Sequence, residues 1–247
     1  MSGQAQTGRQ FFFIHVMKTA GTTFVRQLQQ EFAPESIYPA RTVDWTSEHD
    51  YDVYINIPRL LALTSERRAE IRVFTGHFPY AACDLVAPGC ATLSVLREPV
   101  ARTVSVLKHF KRVEARFRAR PLEAIYDDRQ IFRFFVENHQ TKVFSLVPSD
   151  NEVAINCGLT MDDERYERAR AALARVDVLG LTESYDDFLD ATRQRFGWWA
   201  QGVDRELRTN VSTEDWDVEP SFRERIAADN AYDVSLYEYA QGLLRSR

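Results

Sequence analysis

Short apolar runs alternate with amphipathic segments along most of the chain. The runs at residues 11–16, 71–76, 91–96 and 176–181 have the length and composition of buried parallel strands. Apolar residues at helical spacing predict helices at residues 21–32 and 131–144, from 99 onward, on both sides of the last strand and at the C-terminus. Residues 64–70 are predicted to form a short charged helix. This alternation predicts an α/β fold, a P-loop-like three-layer sandwich with a central parallel sheet flanked by helices.

Composition bounds the organisation of the chain. It has 247 residues, 45% of them hydrophobic, and no linker rich in Pro, Gly or Ser. We expect one domain over residues 1–247, with residues 1–10 as a flexible N-terminal segment. The polar N-terminus, followed by only a short apolar run, predicts a cytoplasmic protein without a membrane span. The sequence specifies no oligomeric state.

Charge and cysteine content exclude several classes of function. A net charge of −5 argues against general affinity for nucleic acid. The three cysteines lack metal-ligand spacing, so neither a disulfide framework nor a zinc site is predicted.

The segment between the first predicted strand and helix reads HVMKTAGTTF, residues 15–24. A loop in this position presents unpaired N–H groups and the positive end of a helix dipole. Lys18 adds a charge, and Gly21 allows the backbone to approach a ligand closely. Thr19, Thr22 and Thr23 add hydroxyl donors. The loop therefore predicts an anion site with phosphate as its ligand.

Two features separate this loop from the ATP-binding form GxxxxGK[ST]. Lys18 precedes Gly21, whereas the lysine of that form follows the last glycine. The strand at residues 91–96 ends in Arg97, Glu98 and Pro99 rather than in a metal-binding aspartate. Both features weigh against a kinase.

Two motifs resemble those of a known family. HVMKTAGTTF resembles the 5′-phosphosulfate loop of sulfotransferases that use 3′-phosphoadenosine 5′-phosphosulfate (PAPS), close to the H-x-P-K-T-[AG]-[GS]-T form of the carbohydrate sulfotransferases, with Met17 in place of the usual proline. VLREPVARTVSVLKHF resembles their 3′-phosphate motif, in which an arginine at a strand end and a serine eight residues later bind the 3′-phosphate. In this chain the arginine of the motif is Arg97 and the serine is Ser105.

The resemblance extends over most of the chain. VDVLGLTESYDDFL and ADNAYDVSLYEYA are similar to the later strand and closing helix of the heparan-sulfate 2-O-type branch. Arg208 and Thr209, in ELRTNVSTEDW, resemble a late loop that closes over the nucleotide. The nucleotide-binding residues that the resemblance implies are Lys18, Thr19, Ala20, Gly21, Thr22, Thr23, Arg97, Ser105, Arg208 and Thr209.

The resemblance implies a soluble, PAPS-dependent sulfotransferase. It would move the sulfuryl group by in-line displacement to a hydroxyl of a carbohydrate or other small polar acceptor, and release 3′-phosphoadenosine 5′-phosphate (PAP). Lys18 would stabilise the leaving phosphate. No metal is expected, because lysine, arginine and the helix dipole supply the positive field. The sequence leaves open whether the acceptor is a glycan, a glycolipid precursor or a secondary metabolite. It also leaves open whether an oxygen or a nitrogen is sulfated.

His77 is the predicted general base. It lies in FTGHFPY, directly after a strand, and resembles the G-H-x turn that carries the catalytic histidine of the uronosyl 2-O-sulfotransferases. The alternative is a structural histidine. His109 and His139 are expected to be solvated or packed on helices, and Glu98 is expected to form an ion pair with Arg97.

Two further alternatives stay open at this stage. The basic residues between Lys108 and Arg120 predict either a solvated helix face or a site for an anionic substrate. The loop itself also suits a P-loop-like phosphotransferase, or a module that binds a nucleotide without catalysis.

Overall fold

A central parallel sheet organises the protein, as predicted. The computed structural model describes residues 8–39, 55–147, 150, 159–207 and 218–246. Among them, five strands form one sheet in the order β2-β3-β1-β4-β5, and every neighbouring pair is parallel. The strands are β1 (Phe11–Ile14), β2 (Ile37–Tyr38), β3 (Val73–Phe74), β4 (Ala91–Leu96) and β5 (Val178–Leu181).

Helices connect the strands and cover the sheet. They are α1 (Gly21–Glu31), α2 (Ile57–Leu61), α3 (Ser65–Glu70), α4 (Ala81–Val86), α5 (Pro99–Val113), α6 (Leu122–Tyr126), α7 (Arg129–Ile131), a π-helix (Phe132–Val136), α8 (His139–Ser145), α9 (Asp163–Ala174), α10 (Tyr185–Phe196), α11 (Pro220–Asp229) and α12 (Ala231–Ser246). Short 3₁₀ turns lie at Pro34–Ser36, Ala115–Phe117 and Thr182–Ser184.

Strand β1 is buried on both faces because its side chains alternate between two core clusters. Phe11 and Phe13 pack with Phe24 of α1, and the Phe13 and Phe24 ring centroids are 4.6 Å apart. Phe12 packs on the other face with Phe74, at 6.0 Å between centroids. The sheet is therefore a middle layer between two layers of helices, which confirms the predicted fold class.

The strand order reverses at β1. The chain runs from β1 to β2 and β3 on one side and then crosses to β4 and β5 on the other. In open parallel sheets a ligand crevice forms at such a switch point, beyond the carboxyl ends of the strands. The loops after β3, β1 and β4 meet at this edge.

The structure differs from the sequence-based expectation in several elements. The helix predicted over residues 131–144 is wrong as one element, because it is divided by a π-helix and by Asn138, which has a left-handed φ of 45°. The Asn138 N–H donates to Asn230 Oδ1 at 2.8 Å, so a distant contact holds this break. Strand β3 is shorter than predicted, and α4 and α6 were not predicted. Most of the loop predicted at residues 34–60 lies outside the described residues.

No helix in the described part of the chain is both long enough and apolar enough to cross a membrane.

Close packing of β5 against α10 generates a stability prediction. A Cβ added to Gly180 would lie 2.4 Å from the Cβ of Phe188, where neither backbone can yield easily. Gly180→Ala should lower the free energy of unfolding by about 1–3 kcal/mol through overpacking, as measured by urea denaturation.

Gly242→Ala is the matched control. Gly242 lies in helix α12 and an added Cβ would meet nothing within 4 Å. This substitution should be neutral or stabilising by up to about 1 kcal/mol. Equal stability of Gly180→Ala and the unsubstituted protein would contradict the packing described here.

Candidate anion-binding and active site

Three of the predicted site residues follow three neighbouring strands. Lys18 follows β1, His77 follows β3 and Arg97 follows β4, and these strands are adjacent in the order β3-β1-β4. Arg97 Nη1 donates to the Lys18 carbonyl oxygen at 3.3 Å. The two motifs, 79 residues apart in sequence, therefore meet at one edge of the sheet.

The loop between β1 and α1 has an unusual backbone. Lys18 and Ala20 both have left-handed φ values, 68° and 65°, although neither is glycine. Such residues cost on the order of 1 kcal/mol each and persist where surrounding contacts hold them. One such contact is internal, since the Thr19 hydroxyl donates to the Val16 carbonyl at 2.9 Å. Thr19 was expected to donate a hydrogen bond to a ligand. It is fully buried, and its hydroxyl stabilises the loop instead.

The two strand-to-helix turns differ in how their helix starts are capped. The N-cap residue of α1, Ala20, makes no side-chain hydrogen bond to the helix, and the first turn contains no acidic residue. At α5, the Glu98 carboxylate accepts hydrogen bonds from the backbone N–H groups of Val100 and Ala101 at 2.9 and 2.7 Å. A carboxylate thus occupies the positive dipole end of α5, whereas the first turn of α1 has no acidic residue that would compete with an anion. Glu98 is thus a helix cap, and its expected interaction with Arg97 is limited to the attraction by which its charge raises the pKa of Arg97.

Gly21 was expected to let the backbone approach a ligand closely, but its role in the structure is different. A Cβ at Gly21 would lie 1.9 Å from the His15 ring. The absent side chain therefore makes room for the His15 imidazole, which packs against the start of α1 and lies 4.3 Å, between centroids, from the His77 ring.

Buried contacts fix Arg97 and the loop. Gln140 of α8 accepts from the Arg97 N–H at 3.0 Å and donates to the Arg97 carbonyl at 2.8 Å. Arg102, fully buried on α5, donates to the Met17 carbonyl at 3.5 Å and to the Phe135 carbonyl at 2.8 Å. Arg102 thereby joins the loop to the π-helix.

Lys18 lies in a strongly positive environment. Burial, and then the charges of Arg112, Arg97 and Arg102, lower the pKa of Lys18 to about 8. The chain thus gathers like charges around the loop, which is unfavourable unless an anion compensates them.

His77 is buried and its tautomer can be assigned. Its Nδ1 lies 2.8 Å from the His15 carbonyl oxygen. A carbonyl only accepts, so Nδ1 carries the proton and Nε2 has the lone pair when the ring is neutral. Burial lowers the pKa of His77 to about 4, an effect that the hydrogen bond to His15 opposes and the charge of Lys18 reinforces. The ring is therefore neutral at pH 7.

The face of α5 that carries Ser105 also carries His109, which sequence reasoning had set aside. Arg102, Ser105, His109 and Arg112 are spaced by three, four and three residues, so they share one helix face. His109 Nδ1 is buried and has no hydrogen-bond partner in the described structure. Burial, and then the charges of Lys18 and Arg112, lower the pKa of His109 to about 4. The helical spacing from Ser105 could have identified this residue.

The remaining predicted site residues lie either at the start of α1 or outside the described residues. Thr22 is half-buried in the first turn of α1, and Thr23 is buried. Arg208 and Thr209 lie outside the described residues. His139, which was expected to be solvated or packed on its helix, is buried, and burial holds its pKa well below the usual range. It is therefore not a solvated helix residue.

The comparisons with known proteins are distant. No protein-family model matches the chain, and no curated protein matches it. Among solved structures, it is similar to a sulfotransferase from Alicyclobacillus acidocaldarius, with 18% identity, 93% of this chain and 94% of that chain covered, and a TM-score of 0.49. It is also similar to the mouse sulfotransferase SULT7A1 complexed with PAP, with 13% identity, 92% and 65% covered, and a TM-score of 0.38. Identities and TM-scores this low assign neither family nor function.

Within the described ranges, no group of three or more His, Cys, Asp or Glu side chains could hold a metal ion.

The lowered pKa of Lys18 predicts pH-dependent anion binding. Lys18 is charged below pH 8 and loses its proton as the pH rises through about 8. The affinity for inorganic sulfate, whose charge is constant over this range, should be steady from pH 6.5 to 7.5 and fall by about tenfold by pH 9.5, as one charge-assisted contact is lost. Titrations at constant ionic strength would measure this.

Lys18→Gln is the control for this prediction. Its sulfate affinity should be low and nearly independent of pH between 7 and 9.5. A fall of the same size in this variant would assign the titration to another group.

Proposed function

We propose that the protein is a PAPS-dependent sulfotransferase that transfers a sulfuryl group to a hydroxyl of a carbohydrate or another small polar acceptor. The observation that carries this proposal is the contact between the Arg97 guanidinium and the Lys18 carbonyl. It brings together two motifs that resemble the 5′-phosphosulfate and 3′-phosphate sites of such enzymes. The heparan-sulfate 2-O-type branch, a cytoplasmic location and a single domain are part of the same proposal.

The residues present fit a nucleotide with anionic groups at both ends of its ribose. The uncapped start of α1, Lys18 and Thr22 would hold the 5′-phosphosulfate. Arg97 and Ser105 would bind the 3′-phosphate. The side chain of Gln140 fixes Arg97 by hydrogen bonds to its backbone N–H and carbonyl groups. Burial lowers the pKa of Arg97, and the carboxylates of Glu183 and Glu98 oppose this effect. A bound 3′-phosphate would add a further compensating negative charge.

The reaction requires two tasks of the protein. The bond from sulfur to the acceptor oxygen forms while the bond from sulfur to the 5′-phosphate oxygen breaks, and that phosphate keeps the electron pair. Lys18 would donate to the leaving oxygen and stabilise its charge. His77 would accept the acceptor's proton at Nε2, because Nδ1–H is already bound to the His15 carbonyl. The bound nucleotide's negative charge would raise the pKa of His77 from about 4 toward neutrality.

The test uses a substitution that keeps the structural role of His77. Asparagine can donate its amide N–H to the His15 carbonyl, but it has no basic nitrogen. His77→Asn should lower kcat for PAP release from PAPS, measured with a panel of sugar and phenol acceptors, by about 10²-fold or more. Its affinity for PAP should stay within about threefold of the unsubstituted protein.

His77→Ala and Lys18→Ala are the comparison variants. His77→Ala should also lose stability, because it leaves the buried carbonyl of His15 without this donor. Turnover by His77→Asn within threefold of the original value would assign His77 a structural role alone. PAP binding without turnover on any acceptor would favour a non-catalytic nucleotide-binding module.

A further inference from the structure

The end of α5 places two groups beside Lys18 that the proposed nucleotide site does not use. His109 and Arg112 continue the helix face that begins with Arg102 and Ser105. The direction of this face is fixed, because Arg102 donates to the Met17 carbonyl of the loop. Arg112 lies seven residues after Ser105, which is about 10 Å farther along the helix axis.

His109 offers an unused hydrogen-bonding atom. Its Nδ1 is buried without a partner in the described part of the chain. An unpartnered buried polar atom is unfavourable, and a ligand group that bonds to it would remove that cost. A neutral imidazole can serve either as donor or as acceptor through this atom.

Arg112 differs from Arg116 and Lys111 of the same segment. Arg116 pairs with Glu114 at 2.6 Å and with Asp128 at 3.2 Å, and Lys111 donates to the Arg120 carbonyl. Arg112 has no ion pair with a described residue, and its charge instead repels that of Lys18. Arg112 is exposed, as Arg116 is, so what distinguishes it is the absence of a described acidic partner together with its electrostatic effect on Lys18.

The position of this pair favours the acceptor over the nucleotide. Under the proposed function, the loop holds the 5′-phosphosulfate and Arg97 with Ser105 holds the 3′-phosphate. Arg112 lies beyond Ser105, yet among the neighbouring cations it acts most strongly on Lys18. Lys18 is the residue placed at the sulfuryl group, where the acceptor must enter.

We propose that His109 and Arg112 form an acceptor subsite that binds an anionic group, a carboxylate, sulfate or phosphate, on the molecule to be sulfated. This inference rests on the proposed function and deepens it. Arg112 supplies a fork of N–H donors that suits these planar or tetrahedral anions, and His109 adds one directional hydrogen bond.

The test compares acceptor probes that differ in charge. Glucose, glucuronate and glucose 6-phosphate would be titrated calorimetrically into protein saturated with PAP. At least one of the two anionic sugars should bind about tenfold or more tightly than glucose, which corresponds to about 1.4 kcal/mol. The glucuronate and phosphate arms distinguish a carboxylate from a phosphate as the preferred group.

Arg112→Gln should reduce this preference to about twofold or less, while its PAP affinity stays within about threefold. Arg118→Gln is the matched control, because Arg118 is an exposed arginine of the same segment that does not act on Lys18. It should keep the full preference. His109→Phe keeps an aromatic ring and should weaken binding of the preferred anionic sugar.

The proposal would be overturned if the unsubstituted protein did not prefer an anionic sugar over glucose, or if Arg112→Gln kept the full preference. A tenfold loss of PAP affinity in Arg112→Gln would also overturn it, because Arg112 would then be a nucleotide ligand. Failure of the unsubstituted protein to bind PAP would instead reject the proposed function. Intact PAP binding without a charge preference would reject this subsite alone.

Discussion

The buried guanidinium of Arg102 is the interaction on which the arrangement of the site depends. Arg102 is 0% exposed, and it joins the loop after β1 to the carbonyls of Phe135 and Val136. A buried charge is tolerated only when hydrogen bonds and an opposite charge compensate it, and Asp233 provides that charge. Burial lowers the pKa of Arg102 to about 10, so it stays charged at neutral pH. Arg102 therefore fixes the orientation of α5, and Ser105, His109 and Arg112 lie on the same helix face as this arginine.

The same network connects the C-terminal helix to the candidate site. Asp233 of α12 accepts hydrogen bonds from the N–H groups of Gln140 and Thr141 at 3.2 and 2.7 Å, which satisfies the start of α8. Gln140 in turn holds both backbone polar groups of Arg97. Residues that are distant in sequence thus position an arginine at a strand end. Helix α12 contributes to the site through these contacts, although it presents no predicted site residue.

Local patterns predicted the sheet and the position of the loop, because continuous apolar runs and helical spacing report burial directly. They also placed Lys18, His77 and Arg97 at strand ends. The break at Asn138 was missed because it depends on Asn230, which lies 92 residues away. The capping role of Glu98 could have been predicted, since the residue before a proline at the first helical position is an N-cap. The contact between Gly21 and His15 has no sequence signal, because it depends on a ring orientation.

The most direct test of the central claim is a calorimetric titration with PAP and with ATP, without added metal, on the unsubstituted protein and on Arg97→Ala. A 3′-phosphate site at Arg97 predicts that PAP binds about tenfold or more tightly than ATP, by about 1.4 kcal/mol, and that Arg97→Ala loses this preference. ATP binding that is equal or tighter and depends on magnesium would contradict the account and favour a phosphotransferase.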